Sequence, residues 1–329
     1  MEPRGPRPAG AGRAGRAAGL ALSRFAGFGA AVRDVLVIAR FDLAESLRSR
    51  RALIFLALYV AGATGGVVLF TEVLQTVEEQ LAEQLLVART NQPGSLTEAV
   101  MQSPELHDVL SRLVGSSTLA TTLLGQPPVA LVYHWIALTF SPAFVALTAS
   151  DAISSEVATG SVRYALFRTD RSAWATGKLV GQCALLAMGL SLGAVGAWTA
   201  GFVQLASFEE GRTAVWLARY VCTAFVFAFA HLGLVMGISQ LTRSVPWSRA
   251  LGLMAVVMVF SAHSWLGGER AQDAAPVLAA TLQQLIPVAH RLPLWLPDWN
   301  AMAPSAAVLA ALGVSFFVAG HQRFLRRDA

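Results

Sequence analysis

Six stretches of the chain carry no Lys, Arg, Asp or Glu, and each is long enough to cross a bilayer as a helix, which takes roughly 20 residues. They run from Ala52 to Thr71, through the later part of Leu113 to Ser150, and then over Leu179 to Phe208, Tyr220 to Thr242, Ala250 to Gly268 and Trp299 to Gln322. The intervening polar segments have patterns of their own. From Val32 to Arg51, Leu36, Ala39, Leu43 and Leu47 recur every three or four residues, with Arg40, Asp42, Glu45 and Arg48 elsewhere around the turn. That periodicity predicts an amphipathic helix lying on the inner membrane surface. Residues 72–126 read as an outer helical hairpin. Leu74, Val77, Leu81 and Leu85 form one stripe, Asn91 to Gly94 breaks it, and Ser95 with Glu98 has capping-box spacing. Ser103 and Pro104 restart a helix bearing Leu106, Val109, Leu110 and Leu113. Residues 269–304 bring Pro293, Trp295, Pro297 and Trp299 together, an interfacial pattern that predicts short outer or re-entrant helices.

Residues 1–31 are rich in Gly, Ala, Pro and Arg, and Arg24 interrupts their one apolar candidate, so they read as a flexible cytoplasmic tail rather than a cleaved signal peptide. The predicted fold is therefore all-α and polytopic: a tail, then a domain over 32–329 with six transmembrane helices, an amphipathic inner helix and an outer hairpin.

Composition agrees with the pattern. Of 329 residues, 55% are hydrophobic and 14% charged, with a mean hydropathy of +0.54, whereas a soluble domain is about one quarter charged. An even number of spans puts both termini on one side, and the positive-inside bias says which. If the termini are cytoplasmic, inner segments hold 19 of the 25 basic residues and outer segments 12 of the 20 acids. Cys183 and Cys222 fall inside spans and give no disulfide or metal framework. The pI of 9.9 comes from basic residues dispersed along membrane-flanking segments without a reader motif, which favours anionic lipid over nucleic acid as a partner.

The inner segment after the second span holds the most informative chemistry: Asp151-Ala-Ile-Ser-Ser-Glu156-Val-Ala-Thr-Gly160-Ser-Val-Arg163, continuing through Arg168, Asp170 and Arg171 to Gly177 and Lys178. A compact loop of both charge signs is suited to docking on a soluble partner while two rigid spans transmit its movement. Here the chain resembles the ABC transporter type-2 permeases. Their pattern is an Asp at the membrane exit, a Glu about five residues on, a Gly-Thr, a short apolar helix, a Pro-x-Ser-Arg-like turn and a Gly-Lys opening the next span. Asp151, Glu156, Gly160, Arg171, Gly177 and Lys178 fit it, while Ser161, Val157 and Thr169 depart from it. The stretch from Ala39 to Arg50 resembles the family's connecting helix, and Phe324 to Asp328 its basic ending.

The resemblance implies that this loop is a coupling helix seated in an ATPase cleft, with Glu156, Gly160 and Arg163 in or beside the contact. It also implies that Asp151 and Lys178 mark the span ends and that Arg40, Asp42, Glu45 and Arg48 line a second contact. Further implied are an ABC ATPase subunit and a second permease copy or related permease as partners, with export the favoured direction. No cofactor is expected on this chain. A phosphate loop needs a Gly five residues before its Gly-Lys and a Ser or Thr after it; Gly177-Lys178 has Ser172 and Leu179 there, so ATP and Mg belong to the partner subunit.

Small residues at helical spacing, Gly177 and Gly181, Gly189 and Gly193, Gly233 and Gly237, predict close helix approach in lipid, within the chain before between chains. His134, His231 and His263 lie in or near spans and read as neutral, hydrogen-bonded across helices. Pro142 predicts loosened hydrogen bonding in the second span. Gly189-Leu-Ser191-Leu-Gly193 with His231 offers a different class, a rhomboid-like intramembrane serine protease. Rhomboids, however, place Gly directly after the Ser, where this chain has Leu192. A non-transport membrane assembly factor on the same scaffold is a third reading.

Overall fold

The structure, a computed structural model, describes residues 11–85, 107–108, 111–112 and 117–326. Its principal helices are α1 (Ala11–Arg48), α2 (Arg50–Leu85), α3 (Ser117–Leu124), α4 (Pro128–Ala149), α5 (Ser154–Thr159), α6 (Val162–Leu166), α7 (Arg171–Gln204), α8 (Glu210–Leu241), α9 (Val245–Leu266), α10 (Glu269–Ala274), α11 (Pro276–Gln284) and α12 (Trp299–Leu325). Two 3-10 turns, Pro287–His290 and Leu292–Trp295, precede α12. No strand occurs among the described residues. Six helices, α2, α4, α7, α8, α9 and α12, are long and apolar enough to cross a membrane, and they coincide with the six windows.

Several element boundaries move. Helix α1 begins at Ala11, well before Val32, and α2 continues without a break from the first span to Leu85. The break at Asn91 to Gly94, Ser95, Glu98 and the start of the second hairpin arm lie outside the described residues. In 269–304 the chain forms α10, α11 and the two turns; α12 then starts at Trp299 and runs through Pro304, so the last residues of the expected interfacial segment belong to the sixth span. Helix α4 likewise continues through Pro142.

Burial separates central from peripheral spans. In the most apolar window, 67% of α4 and 61% of α8 is buried within the chain, against 22% of α2, 17% of α9 and 22% of α12. Helix α8 packs on α12, α4, α7 and α9, while α2 packs on α7 and α4 and so closes the opposite flank. Tyr133, Phe144, Leu185, Leu190, Tyr220 and Phe227 fill the centre.

Glycine sets the closest contacts. A Cβ on Gly233 would strike the backbone of Gly313 and one on Gly320 that of Gly237, so α8 and α12 touch backbone to backbone. Gly189 meets Phe144 and Leu56, and Gly193 meets Tyr59 and Ala63. All three predicted pairs thus pack within the chain, as small-residue pairs do where lipid supplies no hydrophobic force between helices.

Candidate functional site

One end of the bundle gathers α1, the α4–α7 connection, the start of α9 and the end of α12. Its organisation begins with two glycines. A Cβ on Gly177 would lie 2.6 Å from Ile38 Cβ, and one on Gly181 2.6 Å from Asp42 Oδ2, so α1 lies directly against the first turns of α7. That proximity delivers Asp42 to Lys178. Lys178 Nζ donates to Asp42 Oδ1 at 2.7 Å and also pairs with Glu156, while Gln182 Nε2 donates to Asp42 Oδ2 at 2.9 Å. The side chains of Lys178 and Asp42 are each 6% exposed and that of Glu156 23%. Two carboxylates and one ammonium therefore tie α1, α5 and α7 together in a largely desolvated cluster.

A second cluster is centred on Asp151. It accepts from Arg51, at the start of α2, at 2.7 Å and from Arg249, in the first turns of α9, at 2.5 Å; Arg51 also donates to the Leu147 carbonyl. The two clusters line one cleft of about 270 Å³, with Glu45, Ser46, Ser155 and Gln182 on its walls.

The connection itself is anchored by backbone. The N–H groups of Ile153 and Ser154 donate to Ser239 Oγ on α8 at 3.2 and 3.1 Å, and Ser248 of α9 donates to the Ser150 carbonyl. Gly160, with φ 74°, ends α5 in the left-handed conformation that costs glycine least, and its N–H donates to the Val157 carbonyl. The chain then reverses into α6, pinned by buried Val162. What α6 and the two residues after it turn outward is aromatic and basic: Tyr164 is 78% and Phe167 85% exposed, beside exposed Arg163 and Arg168.

The site residues read from sequence thus separate into groups. Asp42, Glu156 and Lys178 meet one another, and Asp151 belongs to the neighbouring cluster. Gly160 forms the turn, and Arg163 lies on the exposed tip. Arg171, at the start of α7, donates to the Leu325 carbonyl and joins α7 to the end of α12. Arg40, Glu45 and Arg48 are exposed on α1, where Asp42 is the buried member of that set. Sequence reasoning missed Gln182 and Ser239 as network members, and counted Arg51 and Arg249 only as span flanks. It also passed over Tyr164 and Phe167, although two large aromatics on a short charged loop are a readable signal.

The other candidates are placed apart. Ser191 of α7 is exposed; His231 of α8 is fully buried, bonded through Nδ1 to the Phe227 carbonyl and flanked by Phe227 and Phe260. The cross-helix hydrogen bond expected for His231 is replaced by one along its own helix, because aromatic rings occupy the neighbouring volume. His134 lies face to face with Tyr220, their centroids 3.9 Å apart, with Trp295 edge-on. Both cysteines are free, and no group of metal-ligating residues occurs among the described residues.

No curated protein matches the chain in sequence. A family model does, that of the ABC-2 family transporter proteins, over residues 36–329. The match takes in all six spans and both charge clusters, so the chain belongs to the ABC-2 transporter family and is a transmembrane permease subunit.

Proposed function

We propose that the chain is the membrane half of an ATP-driven exporter, powered by a separate ATPase subunit that docks on the tip formed by α5 and α6. The observation that carries this reading is the pairing of an outward face with an inward brace. Tyr164, Phe167, Arg163 and Arg168 project from the tip, while behind them Glu156 and the Ile153 and Ser154 amides are tied to α7, α1 and α8. Large aromatics and arginines are the residues that dominate protein docking energetics. A tip braced on three helices passes a partner's movement into the bundle instead of absorbing it.

On this reading the tip, both termini and the charge clusters face the cytoplasm, at the inner membrane of a bacterium. ATP and Mg bind in the partner. Two permeases, two copies of this chain or this chain with a related one, enclose the route, and ATP binding and hydrolysis shift the populations of its inward-open and outward-open states.

Co-purification tests it. The chain pulled from its native membrane is expected to bring an ATPase with it and to hydrolyse no ATP alone. The double variant Tyr164→Ala, Phe167→Ala is expected to lose at least about tenfold in partner retention, since each anchor residue contributes on the order of 1 kcal/mol or more. Expression is expected to stay level, because both rings are largely exposed. ATP hydrolysis by the purified chain, or equal retention of the partner by the double variant, overturns the reading.

A further inference from the structure

Four of the six apolar windows end at a residue of the two charge clusters. Arg51 precedes Ala52, Asp151 follows Ser150, Lys178 precedes Leu179 and Arg249 precedes Ala250. The cleft that these residues line therefore sits where hydrocarbon gives way to lipid headgroups. Its hydrocarbon side adjoins an apolar trough of about 710 Å³ between α2 and α4, because Phe55 and Leu147, one turn into their spans, line both.

The trough follows the two helices away from that junction, from Phe55 to Leu69 on α2 and from Leu147 to Val132 on α4. Val132 to Leu147 is about 22 Å at 1.5 Å per residue, which exceeds the hydrocarbon depth of one leaflet, about 15 Å. Gly66 lets α2 touch Ile136, whereas Gly62 and Gly65 have no atom within 4 Å and leave the groove open. Trp135 and Phe140, also on its lining, are half exposed. Spread over that length, the volume averages about 30 Å² in section, whereas a helix 10–12 Å across needs roughly 80 Å² or more. A hydrocarbon chain fits; a helix of a second copy does not.

The cleft supplies the chemistry of a head. Around Asp151 two guanidiniums meet one carboxylate, and around Lys178 two carboxylates meet one ammonium, so one side is positive and the other negative. Arg51 joins the positive side to the trough, its guanidinium 5.6 Å from the centre of the Phe55 ring. Of the five N–H donors on a guanidinium, bonds to described residues occupy two on Arg51 and two on Arg249, which leaves donors for a phosphate. The negative side is completed by Glu45 and by Gln182, whose buried Oε1 has no hydrogen-bond partner among the described residues. Hydrocarbon, then donors for a phosphate, then acceptors for an ammonium is the order of groups along phosphatidylethanolamine. Other heads fit less well. The lining holds four acids, Asp42, Glu45, Asp151 and Glu156, against three bases, which disfavours the net anionic phosphatidylglycerol. The trimethylammonium of phosphatidylcholine has no N–H to give to a carboxylate or to Gln182.

We infer that the cleft and the trough together bind one phosphatidylethanolamine of the adjoining leaflet, with an acyl chain in the trough, the phosphate at Arg51 and Arg249, and the ammonium at Glu45, Glu156 and Gln182. The site goes beyond the docking reading and does not depend on it.

The test titrates the purified full chain, washed free of lipid in a neutral maltoside detergent, with dioleoyl phosphatidylethanolamine, phosphatidylcholine and phosphatidylglycerol. Native mass spectrometry counts the first lipid bound. Phosphatidylethanolamine is expected to half-saturate at a concentration about tenfold or more below the other two, the discrimination that one charge-assisted hydrogen bond supplies. Gly62→Leu with Gly65→Leu fills the trough from positions with open space around them, so the fold stands and phosphatidylethanolamine binding is expected to fall several-fold. Glu45→Gln with Glu156→Gln leaves two acids against three bases, so the preference is expected to pass to phosphatidylglycerol. Lys178 still holds Asp42 in that protein. Glu210→Gln, at an exposed acid on the opposite end of the bundle, is expected to bind as the wild type does.

Equal binding of the three lipids by the wild type marks adventitious annular lipid and overturns the site, as does tighter binding of phosphatidylglycerol or phosphatidylcholine. A preference unchanged by the two glutamines, or binding unchanged by the two leucines, also overturns it. Because no ATPase takes part, each of these failures leaves the docking reading untouched, just as failure to retain an ATPase leaves this site standing.

Discussion

Lys178 is the residue on which the end cluster balances. It neutralises Asp42, which is as buried as itself, and Glu156, which is less so. Removing Lys178 strands a buried carboxylate, a loss of about 3–5 kcal/mol for a broken buried pair. Removing Glu156 leaves Lys178 still bonded to Asp42, so the expected loss is about 1 kcal/mol. Lys178→Met is therefore expected to lower the midpoint of denaturant unfolding in detergent far more than Glu156→Ala. Adding Asp42→Asn to Lys178→Met is expected to recover part of the loss, because the stranded charge is gone. Equal losses for the two single variants, or no recovery in the double, would show that the cluster does not act as a unit. Each of these charges was legible in the sequence, on a loop, at a span end or on an amphipathic helix. Their meeting was not, because Asp42 and Lys178 are 136 residues apart and meet through the packing of α1 on α7, where Gly177 and Gly181 lie against Ile38 and Asp42.

At the scale of the element, the glycines fall into two kinds that one substitution distinguishes. Gly233 and Gly320 have no room for a methyl group, since the facing backbone already occupies the space, whereas Gly62 and Gly65 of α2 have no atom within 4 Å. Gly233→Ala is expected to push α8 from α12 and cost about 1–3 kcal/mol, the usual penalty for overpacking. Gly62→Ala is expected to be neutral or to stabilise by up to about 1 kcal/mol through helix propensity. Thermal unfolding of the two variants in one detergent checks both signs; a Gly233→Ala protein as stable as wild type would remove the close contact. Spacing made Gly233 and Gly237 readable as a packing face. Their partners, Gly313 and Gly320, stand seven apart and show only in the assembled pair. The same limit applies to α2, where the apolar window was plain but the continuation to Leu85 was not: its stripe of Leu74, Val77, Leu81 and Leu85 keeps the period of the span before it.

For the whole molecule, the strongest sequence signal was the six apolar windows, because bilayer thickness imposes their length regardless of which helix packs on which. The order of burial was not legible, since a lipid-facing helix and a central one are equally apolar. Orientation is a separate matter and rests on charge. On the orientation expected from sequence, the inner segments hold 19 of the 25 basic residues, and basic segments stay on the cytoplasmic side during insertion. Single cysteines test this once Cys183 and Cys222 are replaced. The choice of position depends on the structure. Ser154, at the expected inner loop, is fully buried and would resist any reagent, and the tip residues would be shielded by a docked partner. Gln322, exposed near the end of α12, and Glu210, exposed at the start of α8, avoid both problems. With a membrane-impermeant maleimide, Gln322→Cys is expected to label at less than about one tenth of the Glu210→Cys level in intact cells. It should reach that level once the membrane is permeabilised, because the bilayer then no longer excludes the reagent. The reverse pattern would invert the molecule and put the aromatic tip out of reach of any cytoplasmic ATPase. Labelling of both cysteines in intact cells would place the two ends of the bundle on one side and break the six-span topology itself.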